Sequence, residues 1–404
     1  MISFMRTNAK LTIGAAVLLL CFLQSTSVAA LRTDAEVVKD LGVNSQAVFL
    51  QDIDHGKTVL SHQAHKKLPI ASLTKIMTAL VVLEHRNLDE AVVITNEMVG
   101  NLGDYVAIGL RAGQRVTIED LLYATMLPSA GDAAQALAIS TSGSIANFAN
   151  AMNQKAKELG LKNTHFSNPV GMNEDNYSTA HDMAIILQAA LKNKTFAKIF
   201  QTYRYQLKSV NLTAEKTFTK RPDIIGGKTG YTQLAGRCLA SNSKLNGVNY
   251  ILVTLGANPN STEHLKDASR IYTYVKEAYI EREILRTGDY LKTFTVTDSK
   301  QKTLEIRSKQ DVRAILHKDI ELSQLTYKFD GINEITPDVP LGAELGTFTI
   351  YNGEDELYST KIYLEDEIDF YDYPLIIAKF IGAGIFIAAI FLGILLAIRA
   401  IIQR

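Results

Sequence analysis

The stretch Pro69-Ile70-Ala71-Ser72-Leu73-Thr74-Lys75-Ile76-Met77-Thr78-Ala79-Leu80-Val81 decides how this chain is read. Leu73, Ile76, Met77, Leu80 and Val81 recur at the three-and-four spacing of one helical face, so a helix is expected from near Ser72, behind Pro69, with that face in the core. The spacing sets the Ser72 hydroxyl and the Lys75 amine one turn apart on the same side. An amine in that position takes the serine proton only when it is neutral, and desolvation and a second cation both lower its pKa. Lys228 is the candidate second cation. The helix start also aims backbone N–H groups near Ser72, where an oxyanion would develop.

Ser-x-x-Lys occurs three times, at Ser72, Ser241 and Ser299. Ser241 is expected just after a strand and Ser299 in β-rich surroundings, so neither has a helix to bring the lysine beneath the hydroxyl. A second signal is Ile225-Gly226-Gly227-Lys228-Thr229-Gly230-Tyr231-Thr232, which precedes a strand. On a strand edge beside the nucleophile, Lys228 and Thr229 can hold a carboxylate, while Gly230 lets the backbone approach a substrate. A phosphate loop would need Gly-x-x-x-x-Gly-Lys-Ser/Thr, which the chain lacks.

Ser45 to Ser61 reads as a hairpin around Asp54-His55-Gly56. Thr117 with Asp120 resembles a capping box opening a helix through Met126; Pro128 breaks it, and helices resume over Asp132–Ile139 and Ile145–Leu159. Strands are expected over Arg237–Ser241 and Tyr250–Gly256, followed by a helix over His264–Ile280. From Arg286 onward, short β-rich runs separated by Asp330-Gly331 and Asn352-Gly353 indicate a small all-β domain.

Two apolar stretches flank this part of the chain. Leu11 to Leu23 follows Arg6 and Lys10 and precedes Ser25-Thr26-Ser27-Val28-Ala29-Ala30, the order of a secretory signal cleaved after Ala29 or Ala30, with a retained anchor as the alternative. Phe380 to Ile398 has no charge and as a helix measures about 28 Å, enough to span a bilayer. Acidic residues from Glu365 to Asp372 lie before it and Arg399 and Arg404 after it, so the bulk of the chain is expected outside the cytoplasm.

With 404 residues, 47% hydrophobic and 21% charged, the composition excludes disordered and low-complexity classes. Lys plus Arg and Asp plus Glu both number 42, so the basic excess of a nucleic-acid binder is missing. Of the two cysteines only Cys238 outlasts signal removal, which leaves no intramolecular disulfide and reads as a small buried hydrophobe.

Ser72-x-x-Lys75, a serine after a helix break at Ser129, and Lys228-Thr229-Gly230, in that order, resemble the penicillin-recognising serine enzymes. With Asn168-Pro169-Val170-Gly171, Tyr177-Ser178-Thr179-Ala180, Asp182-Met183-Ala184 and Ala235-Gly236, the chain is similar to the serine-type D-Ala-D-Ala carboxypeptidases, or low-molecular-weight penicillin-binding proteins, from about Ser45 to Glu283. Val339-Pro340-Leu341-Gly342 to Leu364 resembles their small C-terminal domain. The resemblance implies an α/β (α+β) fold with an antiparallel sheet flanked by helices, then a small all-β domain and a C-terminal transmembrane helix. The expected division is signal 1–30, catalytic domain 31–284, β domain 285–370 and anchor 371–404.

It also implies roles. Ser72 would attack the carbonyl between the terminal D-alanines of a peptidoglycan stem peptide, with Lys75 as base and Ser129 relaying the proton to the leaving D-alanine. Lys228, Thr229 and Gly230 would receive the terminal carboxylate and backbone, and the N–H groups of Ser72 and Tyr231 would form the oxyanion hole. β-Lactams would be covalent inhibitors, and the scheme needs no metal or organic cofactor. Two departures stand out. The family's Ser-x-Asn is here Ser129-Ala130-Gly131, so an asparagine amide is missing, and water or Gln233 is expected in its place; Ser209-Val210-Asn211 is a decoy. Where the family commonly has an arginine after the late strand, this chain has His264, read as a surface histidine. A D,D-endopeptidase, a catalytically silent cell-wall binding or sensor protein, and a β-lactamase are the rival readings.

Overall fold

The computed structural model describes residues 33–402 except 101, 102, 104, 105, 173, 174, 261 and 262. The expected signal segment lies outside the described residues. Five strands, β1 (Ala47–Asp52), β2 (Thr58–His62), β3 (Gly226–Thr232), β4 (Gly236–Leu245) and β5 (Val248–Ala257), form an antiparallel sheet in the order β2-β1-β5-β4-β3. Strand period two sorts its apolar residues cleanly. Phe49, Cys238, Ala240, Ile251, Val253 and Leu255 face one core, and Val48, Leu50, Leu239, Tyr250 and Leu252 face the other.

The second face is covered by two helices far apart in sequence, α1 (Asp34–Asp40) and a later helix at residues 263–278. The first is covered by an all-helical layer: α2 (Thr74–His85), α3 (Ile118–Met126), α4 (Gly131–Ser142), α5 (Ile145–Glu158), α6 (Ala180–Leu191) and α7 (Lys194–Gln201). Every residue of α2 from Thr74 to Val82 is buried, so this helix runs through the core instead of lying on it. The expected helix start at Ser72 is a 3-10 turn, Ala71–Leu73, that passes into α2 at Thr74. Thr117 caps α3 by accepting from the Asp120 N–H.

Helix α8 (Glu263–Ala278) passes without a linker into β6 (Tyr279–Leu285). Seven further strands follow: β7 (Tyr290–Val296), β8 (Thr303–Arg307), β9 (Val312–His317), β10 (Thr326–Gly331), β11 (Glu334–Ile335), β12 (Glu344–Asn352) and β13 (Asp355–Tyr363). They pair as β6-β9, β8-β7-β11 and β10-β12-β13 around a third core that includes Phe294, Ile335, Phe348 and Ile350. This β unit meets the β1–β2 turn through charge: His55 Nδ1 lies 2.6 Å from buried Asp52 and Nε2 lies 3.3 Å from Glu281 of β6, while Lys57 pairs with Asp355 at 3.2 Å.

The last element, α9 (Tyr373–Ile402), is the one described helix long and apolar enough to cross a membrane, over Tyr373–Arg399, and none of that span is buried against the protein. It is not joined by a loose leash. The Tyr371 N–H donates to the Asp298 carbonyl at 2.6 Å, Tyr373 Oη donates to Asp298 Oδ1 at 2.7 Å, and Ser299 Oγ donates to the Asp369 carbonyl at 2.9 Å. A chain ended after Tyr373 is therefore expected to be soluble and fully stable, whereas one ended at Asp369 loses the Asp298 staple and melts several degrees lower in its β unit. Calorimetry on the two truncations reads the difference.

Candidate active site

Ser72 and Ser129 both sit on constrained backbone. Ala71, just before Ser72, has φ +47°, and Ser129 itself has φ +67°, left-handed values that non-glycine residues adopt at a cost of about 1 to 3 kcal/mol each. The turns are held open by neighbours that the helix pattern alone does not reveal. Asp132, at the start of α4 and fully buried, accepts from the N–H groups of Ile108, Gly109 and Leu110 at 3.0 to 3.2 Å, and so ties the incoming loop to the turn that carries Ser129. The Ala71–Leu73 turn is buttressed by the Asn168–Gly171 loop. Gly171 has φ +89°, and a Cβ there would stand 1.9 Å from the Ala71 carbonyl oxygen and 2.5 Å from Thr74 Oγ1. Asn176 Nδ2 completes the clamp by donating to Thr74 Oγ1 and to the Asn168 carbonyl.

Lys75 is 1% exposed, and its Nζ lies 3.0 Å from Ser72 Oγ and 3.0 Å from the Val170 carbonyl. Burial pushes this amine down to about 7 from 10.5. Lys228, also 1% exposed, donates to Ser129 Oγ at 2.9 Å and to the Thr229 carbonyl. Its pKa falls well below the lysine range through burial first, then through the charges of Lys75 and Lys216. The two buried amines thus lie close enough for the charge of one to act on the other.

Gly230 joins the two halves. A Cβ at Gly230 would lie 2.9 Å from the Ile70 carbonyl oxygen and 3.1 Å from the Ser72 nitrogen, so the edge strand β3 passes directly against the turn that bears Ser72. Thr229 is half-buried with its hydroxyl 2.6 Å from Thr217 Oγ1. Tyr231 is exposed, its ring 4.8 Å from the Arg237 guanidinium and its hydroxyl donating to Gln233 Oε1. All seven residues named from the sequence thus lie on the same adjoining turns and strand edge.

The other expectations fare differently. Gln233 Oε1 accepts from the Tyr231 hydroxyl, and the Lys75 amine donates to the Val170 carbonyl as well as to Ser72. His264 is buried at 4% exposure, not on the surface, and burial together with Arg237 lowers its pKa to about 4. Its amphipathic helix turns that position inward, which a single histidine in a polar segment does not signal. Ser241 bonds to Tyr272 Oη within β4, and Ser299 bonds to the Asp369 carbonyl, so neither forms a serine–lysine pair. Cys238 is fully buried in the core with its thiol pushed up to about 12. Lys216, Thr217 and Arg237 carry no motif and were not singled out.

A family model described as D-alanyl-D-alanine carboxypeptidase, peptidase S11, matches residues 34–259. The chain belongs to this family. It is 28% identical over 378 residues to the D-alanyl-D-alanine carboxypeptidase DacF of Bacillus subtilis, covering 90% of this chain and 94% of that one. It is 31% identical over 247 residues to the D-alanyl-D-alanine endopeptidase of Escherichia coli, covering 58% of this chain and 78% of the other. Penicillin binding protein 5 from Haemophilus influenzae shares the fold, with a TM-score of 0.67 over 81% of this chain and 98% of that one at 22% identity. The penicillin-binding protein fold expected from the sequence is therefore the observed one.

Two outcomes follow from this geometry. Acylation of Ser72 rises with pH through an apparent pKa near 7, because protonated Lys75 cannot accept the serine proton. In the same residue the folded amine holds its proton less tightly than the unfolded amine at 10.5, so its burial costs stability below about 7, and the cost is relieved between about 7 and 10.5. Stopped-flow acylation and urea melts across that range measure the two effects. Gly171→Ala is expected to lower stability by about 3 kcal/mol or more and to slow acylation, through the displaced Ala71–Leu73 turn.

Proposed function

We propose that this chain removes the terminal D-alanine from peptidoglycan stem peptides through an acyl-enzyme on Ser72, and that β-lactams acylate the same oxygen. The observation that carries this reading is the pairing of two buried lysines with two serines, Lys75 with Ser72 and Lys228 with Ser129, beside the edge strand β3. Neutral Lys75 takes the proton as Ser72 Oγ adds to the carbonyl carbon. The N–H groups of Ser72 and Tyr231 receive the developing oxyanion. Collapse breaks the C–N bond, and the proton passes through Ser129 to the departing amine. Water then gives a proton to neutral Lys75 and adds to the ester carbon; collapse breaks the ester bond to Ser72 Oγ, which takes the proton back from Lys75. Thr229 engages the terminal carboxylate, with Lys228 holding Ser129 in place.

The division into a leader at 1–30, a catalytic unit at 31–284, a β unit at 285–370 and an anchor at 371–404 is part of the same proposal. So is a single-pass orientation that leaves the catalytic unit outside the cytoplasm. It rests on the exposed apolar helix α9 with acidic residues before it and Arg399 at its end. The endopeptidase reading is kept alive by the E. coli relative of that name.

Ser72→Ala is expected to abolish labelling by a fluorescent penicillin and release of D-alanine from a pentapeptide while leaving the melting curve intact, and Ser241→Ala and Ser299→Ala are expected to label normally. Comparison of pentapeptide with cross-linked dimer decides between the two hydrolases. Labelling that survives in Ser72→Ala contradicts the mechanism.

A further inference from the structure

The segment between residue 215 and β3 lies along the outer edge of β3 and is fastened there by side chains. Lys216 Nζ donates to the Gly227 carbonyl at 2.8 Å and lies 5.5, 5.6 and 5.8 Å from the ring centres of Phe200, Tyr203 and Phe218. The Lys216 N–H donates to the Tyr203 carbonyl at 2.9 Å. Phe218 packs where a Cβ at Gly227 would stand, 2.9 Å from its Cζ. Between these two anchored residues, Thr217 is exposed and holds its Oγ1 2.6 Å from Thr229 Oγ1.

Two hydroxyls at this separation are a specific chemical object. Each has one proton and two lone pairs, so in the free pair one hydroxyl donates to the other and one proton is left to solvent. A carboxylate is an acceptor only. On arrival it can take both protons, so the pair gives up its mutual hydrogen bond and gains two charge-assisted ones. A neutral carboxamide can accept from both hydroxyls only at its single oxygen and without the charge, so it gains less from the pair.

We propose that Thr217 is a second hydroxyl donor to the terminal carboxylate of the substrate, side by side with Thr229, and that Lys216 is the positioning residue that holds it there. This rests on the carboxypeptidase reading above and adds to it a reason for preferring a free C-terminal acid. The contact exists in both the bound substrate and the transition state, so its loss raises KM and leaves kcat nearly unchanged.

The test compares a peptide ending in D-Ala-D-Ala with the same peptide ending in a carboxamide, followed in single turnover at high concentrations of the full-length enzyme. Thr217→Val keeps the shape and removes the hydroxyl. It is expected to raise KM for the acid about 10-fold, the usual loss for a hydrogen bond to a charged group, and to leave the amide reaction at the wild-type rate. Thr217→Ser is expected to restore the acid reaction, and Lys216→Met, which also removes a charge acting on Lys228, to raise KM for the acid more than for the amide, while Lys216→Arg does not. Equal loss on both peptides, or no loss on the acid, overturns the proposal with the carboxypeptidase reading intact. A wild-type enzyme that turns over neither peptide and takes no penicillin label removes both together.

Discussion

Two lysine amines lie in the interior of this protein within electrostatic reach of each other, and water solvates neither. An ammonium taken out of water must find compensation or shed its proton, and here the partners are serine hydroxyls and backbone carbonyls, with no carboxylate among the described residues hydrogen-bonded to either amine. The cheapest outcome is a neutral amine. That single constraint turns Lys75 from a cation into a base at neutral pH and turns the hydroxyl beside it into a nucleophile in waiting. Much of the surrounding architecture serves to keep both amines dry: a central helix buried along most of its length, a sheet behind it, and a loop from Asn168 to Gly171 closed over its first turn.

Such closeness is possible only where side chains are missing. Gly171 and Gly230 approach the Ala71–Leu73 turn from opposite elements, and a methyl group at either would meet backbone atoms. The turn answers with its own strain, a left-handed alanine before Ser72, and a left-handed serine stands at position 129. The site is thus assembled by backbone-to-backbone contact. The Lys75 amine, for its part, donates to the Val170 carbonyl of the Asn168–Gly171 loop.

The parts of this site that were legible in the sequence are those with local periodicity. Ser72 and Lys75 are three residues apart on a helix whose apolar spacing is unambiguous, and Lys228-Thr229-Gly230 stands before a run of strand residues. The β-rich C-terminal unit is read from short strand runs and turn residues, and the burial of Cys238 from the ordinary place of a free thiol in a core. What could not be read is whatever depends on chain segments meeting. His264 sits in a polar stretch and is buried only because α8 closes over the sheet. Lys216 looks like any solvated lysine until Phe200 and Tyr203, from an earlier stretch, and its neighbour Phe218 bring three rings around it. Asp298 and Ser299 carry no signal of their own in the sequence, and only the folded chain shows that they hold the base of helix α9. Through these contacts the β unit links the catalytic sheet to helix α9, by His55 and Glu281 at one end and Asp298 and Tyr373 at the other.

The account stands or falls on the protonation state of Lys75 in the resting enzyme. Lysine labelled with 13C at Cε and titrated by NMR, with Lys75→Arg used to assign the signal, reads it directly. A midpoint near 7 for Lys75, with Lys228 also titrating far below an ordinary lysine, is the result predicted here. A Lys75 signal that titrates near 10 would mean the amine stays charged at neutral pH, and the Ser72–Lys75 pair would then lack its base.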